Sequence, residues 1–122
     1  MTIMFQKEYN ELILNGEKEY TIRKGDRRSR LKVGHLYKCK NKMFSSNHFA
    51  LIKIFSVTCK SFSELTLDDA KKDLFENLKE CKERLVELNG EDIKNGVVSI
   101  IHFKLASKKD IGFGRFKYVN ET

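Results

Sequence analysis

The hydrophobic residues of this chain recur with two periods, and together they predict strands and helices in a mixed order. A period of two predicts strands over residues 2–5, 19–23, 35–42, 49–60 and 97–105. A period near 3.6 predicts a helix over residues 6–14 and helical structure between residues 66 and 89. We therefore expect one domain over residues 1–106, followed by a flexible tail over residues 107–122.

The order of these elements favours an α+β fold built on a small β-barrel. Helices are few and the central strands follow one another directly, which is typical of a partly closed barrel with a helix near each rim. We expect about five strands, an N-terminal helix, and one or two helices before the last strand.

Two apolar stripes indicate which faces of the elements are buried. In the long strand, one face is predicted to be core through Phe49, Leu51, Phe55, Val57 and Cys59. The other face is predicted to be covered over the first half of the strand, through Ala50, Ile52 and Ile54.

A helix is predicted to pack on the sheet through Leu74, Leu78, Cys81, Leu85 and Leu88. Thr66 and Asp69 resemble a capping box that opens this helical region.

The segment from Gly16 to Arg23 joins a helix end to a strand with one polar face. Gly16 ends the first helix, because glycine adopts the left-handed conformation at little cost. Thr21 and Arg23 lie two residues apart and therefore project from the same face of an extended strand. Tyr20 and Ile22 take the opposite face and are predicted to be buried. We expect this strand to form the floor of a polar pocket.

Basic residues are concentrated in one part of the chain. The formal net charge is +7; residues 18–42 contain ten basic side chains against two acidic ones, and residues 64–92 contain ten acidic against five basic. A one-sided basic surface attracts polyanions, most commonly nucleic acid. The basic loop (residues 24–32) supplies the candidates for RNA contact, which are Arg27, Arg28, Arg30 and Lys32.

Composition favours a reduced, cytoplasmic protein. The three cysteines are far apart and form no Cys-x-x-Cys pair, which argues against a disulfide scaffold and a zinc site. The three histidines lie in unrelated segments, so we expect no metal and no cofactor. No apolar run approaches the roughly 18 residues of a membrane span, and the N-terminus does not resemble a secretory signal. We expect no membrane partner and a monomer or weak dimer.

Lys18, Thr21 and an acidic residue are the candidates for catalysis. A threonine hydroxyl is a poor nucleophile unless a neighbouring base takes its proton. Lys18 is a candidate base if the turn after Gly16 directs it towards Thr21, because on a regular strand the two side chains would point apart. The residues alone leave the acid open between Asp68, Asp69, Asp73 and Glu76. They also leave open a purely structural role, since threonine favours strands and basic residues pair with surface carboxylates.

The pattern Gly-x-Lys-x-x-Thr-x-Arg, after a short amphipathic helix, resembles the ASCH domain, a relative of the PUA RNA-binding domain. The motif residues are Gly16, Lys18, Thr21 and Arg23, and further similarities lie at residues 33–37, 65–73 and 97–103. The resemblance covers roughly residues 3–105. It implies a PUA-like β-barrel with a cleft lined by the motif.

The resemblance also implies an activity. Some small bacterial ASCH proteins are amidohydrolases that remove the acyl group from N4-acetylcytidine with a threonine, a lysine and a glutamate. By position, Thr21 matches the nucleophile, Lys18 the base, and Asp73 the glutamate, with a side chain shorter by about 1.5 Å. The residues expected to bind substrate are Arg23, Gly16 and Lys24.

The resemblance leaves other functions open. Other ASCH proteins resemble RNA-binding modules, ribonuclease activity has been attributed to some, and a regulatory domain for a small ligand is a third interpretation. The expected partner is therefore an N4-acylcytidine nucleoside or RNA. The segment from Gly112 to Tyr118 interleaves aromatic rings with cations, a combination that stacks bases. We favour the alternative that this segment is a tail outside the domain.

Overall fold

A computed structural model describes the backbone of residues 2–110 and 117–120 and the side chains of residues 2–107. The first half contains β1 (Thr2–Met4), a 3₁₀ turn (Lys7–Tyr9), α1 (Asn10–Leu14), β2 (Tyr20–Lys24), β3 (Leu36–Lys40) and β4 (Ala50–Ser61). The second half contains 3₁₀ turns at Phe62–Glu64 and Glu91–Asn95, α2 (Leu67–Lys72), α3 (Leu78–Asn89), β5 (Val97–Asp110) and β6 (Lys117–Asn120). The α+β class is confirmed.

The strands form one mixed sheet in the order β1-β3-β4-β5-β2, and β6 pairs with β5. β1 runs parallel to β3, whereas the other neighbours are antiparallel. Within the described residues, β1 and β2 are not hydrogen-bonded to each other, so the sheet does not close. Phe5, directly after β1, nevertheless lies against Arg23 of β2, with 4.8 Å between the ring centroid and the guanidinium carbon. The sheet therefore curls until its two edges meet through side chains.

β5 buries both of its faces and separates two cores. Ile101 and Phe103 pack in the first core, which also contains Ile13 of α1 and apolar residues of β3 and β4. Val98 and Ile100 pack in the second core with residues from α2 and α3. The sequence predicted hydrophobic residues on both faces of this strand, and each face packs in one of the two cores.

The pairing of β2 with β5 assigns each face of β2 to one core. Thr21 pairs with Ile101, and Ile22 pairs with Ile100. Because directly opposed residues of an antiparallel pair share a face, Thr21 faces the first core and Ile22 the second. The predicted division of β2 into a polar and an apolar face is thus present in the structure.

The buried face of β4 differs from the prediction. Ala50, Ile52 and Ile54 are fully buried, whereas Phe55, predicted as core, is 44% exposed. The register of β4 against β5 shifts between Ile54 and Ser56. Such an irregularity reverses the alternation of faces, and Val57 consequently packs against the same core as Ile54.

The predicted helical stripe from Leu74 to Leu88 is wrong at both ends. Leu74 and Leu88 are 46% and 47% exposed, and only Cys81 and Leu85 of the stripe are fully buried. α2 ends at Lys72, the chain turns, and α3 begins after Asn77. No glycine or proline marks this break, so the apolar spacing alone could not reveal it. The capping box of Thr66 and Asp69 is confirmed at the start of α2.

β5 continues past the predicted end at Leu105 to Asp110, and its last residues pair with β6. The aromatic and basic segment that begins at Gly112 lies outside the described residues up to Phe116. The division into a domain and a tail at residue 106 stays a prediction.

Candidate active site

A pocket of about 550 Å³ lies where β1 and β2 face each other without hydrogen bonds. Its lining includes Phe5 after β1, Lys18 and Thr21 around the start of β2, and Asp73 after α2. Part of α3 completes the wall. The volume lies in the range usual for sites that bind small molecules.

The turn after α1 places Lys18 in this pocket. Gly16 has a φ of +82° and a Cβ added there would meet nothing within 4 Å, so only its backbone conformation requires glycine. The Lys18 amide then donates to the Leu12 carbonyl at 2.9 Å, which folds the chain back over the helix end. The Lys18 side chain is 4% exposed. Gly16, predicted to bind substrate, is not part of the pocket lining and serves this turn.

Lys18 forms a buried ion pair with Asp73. Its Nζ donates to Asp73 Oδ1, and Asp73 Oδ2 accepts from the Ile22 amide at 3.3 Å. Lys18 Nζ also lies 4.8 Å from the centroid of the Tyr9 ring. Burial raises the pKa of the Asp73 carboxyl, although the Lys18 ammonium opposes the increase. The short aspartate side chain therefore does reach the lysine.

The other three acidic candidates lie elsewhere. Asp69 caps α2 and pairs with Lys60 at 2.7 Å. Asp68 pairs with Lys72 at 3.3 Å on the surface of α2, and Glu76 is not part of the pocket lining. Only Asp73 of the four lines the pocket.

Thr21 is paired with Arg23 across two positions of β2. Arg23 Nε donates to Thr21 Oγ1 at 3.2 Å, and Thr21 is 5% exposed. Because the hydroxyl oxygen accepts this bond, its own hydrogen remains available to a base. Within the described residues no hydrogen bond joins Lys18 to Thr21, although both line the same pocket.

The structure divides the basic loop between the pocket and the surface. Lys24 and Arg27 line the pocket. Arg28 is exposed and pairs with Asp26 at 2.7 Å, and Arg30 and Lys32 are exposed outside the pocket. RNA contact by these residues stays a prediction.

Ser99 is a contributor to the site that the sequence analysis missed. It is fully buried in β5, where its Oγ donates to the Gly25 carbonyl at 2.7 Å and accepts from the Arg27 amide at 2.8 Å. These two bonds tie the start of the basic loop to the sheet. A single serine within the apolar run of this strand was the signal that could have revealed it.

The described residues contain neither a metal-binding cluster nor a membrane-spanning helix. No three histidine, cysteine, aspartate or glutamate side chains there converge as a metal site requires. None of the described helices has the length and apolar character of a bilayer-spanning helix.

Similarity to known proteins lies in the fold. No family model and no curated protein matches the sequence. The ASCH domain from Lactobacillus crispatus JV V101 matches with 21% identity over 86% of this chain and 77% of its own, with a TM-score of 0.62. The hypothetical protein PH0355 matches with 20% identity over 83% of this chain and 94% of its own, with a TM-score of 0.65. A point mutant of ZmASCH from Zymomonas mobilis matches with 10% identity over 98% of this chain and 73% of its own, with a TM-score of 0.57.

Proposed function

We propose that this chain, whose fold is that of ASCH domains, is an amidohydrolase that removes the acyl group from an N4-acylcytidine. The observation that carries the proposal is the buried ion pair of Lys18 and Asp73 in the pocket that Thr21 also lines. A hydroxyl, a base and an acid in one pocket are the groups that acyl transfer to threonine needs. The choice of substrate rests on the resemblance of the Gly-x-Lys-x-x-Thr-x-Arg motif to that of the ASCH amidohydrolases.

The first step activates Thr21. Lys18 must be neutral to act as a base, and it becomes neutral when its proton moves to Asp73. The raised pKa of the Asp73 carboxyl supports this transfer. Lys18 then takes the Thr21 proton while Oγ attacks the N4-acyl carbonyl. The Arg23 Nε–H already donates to this oxygen and favours loss of the hydroxyl proton, before the negative charge passes to the carbonyl oxygen.

The second step cleaves the amide, and the third restores the enzyme. The bond between the carbonyl carbon and N4 breaks as Asp73 supplies a proton to the leaving amine, which releases cytidine. Lys18 then passes its proton to Asp73 again, which leaves the lysine amine neutral. A water molecule attacks the ester carbonyl on Thr21 while Lys18 takes a proton from the water, and Asp73 returns its proton to Thr21 Oγ as the ester bond breaks. The products are the carboxylic acid and the free threonine hydroxyl, so all atoms balance.

The pocket walls suit a pyrimidine base. Phe5, Tyr9 and Phe75 place three aromatic side chains in the lining. Aromatic rings pack favourably against a flat heterocycle. The Lys18–Asp73 ion pair is itself buried, with side chains 4% and 9% exposed, and burial strengthens its electrostatic effect.

Turnover of N4-acetylcytidine tests the proposal. We expect purified protein to release cytidine, measured by liquid chromatography. Thr21→Ala should reduce kcat by at least about a thousandfold, because it removes the nucleophile, while Thr21→Ser should keep part of the activity. Thr58→Ala, at an exposed position of β4, is the matched control and should keep full activity. Absence of cytidine with the unmodified protein would show that the proposal is wrong.

A non-catalytic RNA-binding module is the second candidate. It is favoured by the exposure of Arg28, Arg30 and Lys32 in one loop. Binding of RNA through such a loop should weaken steeply as salt is added, because phosphate contacts release counterions. Turnover of a neutral nucleoside should change little over the same range, so salt titration separates the two functions.

A further inference from the structure

We infer that the natural substrate carries a phosphate group, and that Arg23 and Arg27 bind this phosphate beside Thr21. The inference rests on the proposed function for the identity of the nucleoside. Its own basis is the charge of the pocket and the arrangement of these two guanidinium groups.

The pocket has a large excess of positive charge. Seven of its lining side chains are basic, and one, Asp73, is acidic. Asp73 is already paired with Lys18, and Arg84 is paired with Glu8 and Glu87 at 3.2 Å each. The other five basic side chains have no carboxylate within 4.0 Å in the described part of the chain; they are Lys7, Arg23, Lys24, Arg27 and Lys42.

Arg23 contacts Thr21 and Phe5 within this positively charged pocket. Its Nε donates to Thr21 Oγ1, and its guanidinium carbon lies 4.8 Å from the centroid of the Phe5 ring. Its terminal nitrogens make no hydrogen bond to any described residue. Burial lowers the pKa of Arg23, as does the positive charge of Arg27, while the nearby Asp73 opposes the change. Arg23 and Arg27 both line the pocket.

Arg27 is anchored to β5 and to the end of β2. Its amide donates to Ser99 Oγ at 2.8 Å, and its Nε donates to the Lys24 carbonyl at 3.0 Å. As for Arg23, no hydrogen bond to a described residue occupies its terminal nitrogens. Among the described residues, neither arginine has a hydrogen bond to its terminal N–H groups or a carboxylate within 4.0 Å. Such groups match the planar donor pattern that binds phosphate oxygens. A bound phosphate would supply the counter-charge.

The phosphate could come from a mononucleotide or from a cytidine within RNA. Both sources present the same anionic oxygens to Arg23 and Arg27. A neutral nucleoside would leave the two guanidinium groups unpaired in the occupied pocket, which is unfavourable because occupancy excludes the water that solvates them.

Calorimetric titration with cytidine and with cytidine 5′-monophosphate tests the inference. At low salt we expect the nucleotide to bind at least about tenfold more tightly than the nucleoside, as charge-assisted hydrogen bonds would provide. Arg27→Met should abolish this preference, because it should weaken binding of the nucleotide much more than binding of cytidine. Arg27→Lys should retain part of the preference, because it keeps the charge but not the fork of donors.

The control is Lys79→Met, which removes one basic side chain that is 85% exposed on α3, and it should keep the full preference. Inorganic phosphate at constant ionic strength should compete with the nucleotide in the unmodified protein and not in Arg27→Met. A cytidine-containing hexanucleotide that binds more tightly than the mononucleotide would identify RNA as the source of the phosphate. Equal affinity would identify the mononucleotide.

Equal binding of cytidine and its monophosphate would overturn the inference, as would equal weakening of both ligands by Arg27→Met. These outcomes are independent of catalysis. Cytidine release without nucleotide preference would support the proposed function and contradict the phosphate site. Nucleotide preference without turnover would support the phosphate site and contradict the proposed function.

Discussion

Lys18 is the residue whose environment depends most on the rest of the molecule. Its side chain is 4% exposed, and its counter-charge, Asp73, lies 55 positions later in the chain. A charge buried without a partner is strongly destabilising, whereas a pair replaced by apolar residues is often nearly neutral. The ion pair should therefore respond very differently to single and double substitution.

Lys18→Met is expected to lower the free energy of unfolding by about 3 kcal/mol, because it leaves Asp73 buried without a counter-charge. The double variant Lys18→Met/Asp73→Leu should recover most of this loss. Urea denaturation at pH 7 of the four proteins in the cycle measures the coupling. Additive losses in the double variant would contradict a direct interaction.

The same variant gives a prediction for pH. Burial already raises the pKa of Asp73 above the ordinary value of 3.8, and removal of Lys18 raises it further. The folded variant then binds a proton more tightly than the unfolded chain does. Its stability should consequently increase as the pH falls towards 3.8 and decrease as the pH rises through the raised pKa. Denaturation midpoints of Lys18→Met between about pH 4 and 7 check this sign.

At the scale of elements, the end of α2 positions Asp73. The next residue, Leu74, has a φ of +65°, which is rare for a side chain other than glycine, asparagine or aspartate. The Phe75 amide donates to the Ala70 carbonyl at 2.9 Å, and the Leu74 amide donates to the Lys71 carbonyl at 3.0 Å. This is the hydrogen-bond pattern in which glycine normally ends a helix. Backbone strain is thus stored directly beside the acid of the candidate site.

Leu74→Gly is expected to raise the free energy of unfolding by about 1 kcal/mol, because glycine adopts positive φ without the steric penalty of a leucine side chain. Leu88→Gly is the matched control, since Leu88 has nearly the same exposure but lies within α3. There glycine should lower stability by about 1 kcal/mol. Urea denaturation measures both, and equal destabilisation would show that Leu74 is not strained.

At the scale of the whole molecule, the two cores leave the three cysteines in different environments. Cys39 lies in the first core and Cys81 in the second, and both are fully buried. Burial raises the pKa of each thiol to about 12. Cys59, on β4, is only partly buried.

We therefore expect iodoacetamide at pH 8 to modify Cys59 first in the folded protein. Cys39 and Cys81 would carry only about one part in ten thousand of thiolate at that pH, and they are also shielded from the reagent. Mass spectrometry of peptides before and after unfolding in guanidinium measures the order. Modification of Cys81 at the rate of Cys59 would show that the second core opens readily.

The candidate pocket is also a property of the whole molecule. It forms because β1 and β2 are the unpaired edges of a curled sheet and meet only through side chains such as Phe5 and Arg23. The strand pattern predicted β1 to β5 and their order along the chain, but not β6. It could not predict which edges stay unpaired, because pairing depends on residues far apart in the chain.

The sequence alone determined the local features of this protein, which are its strand faces and helix ends. The alternation of side chains along a strand placed Thr21 and Arg23 on one face of β2 and Ile22 on the other. Gly16 marked the end of the first helix. Both features depend only on neighbouring residues. Tertiary structure decided which distant residues contact those strand faces. It chose Asp73 among four acids, buried Lys18 against it, and tied Arg27 to Ser99 of β5. Contacts between residues 55 and 72 positions apart arise from packing, and no local periodicity encodes them.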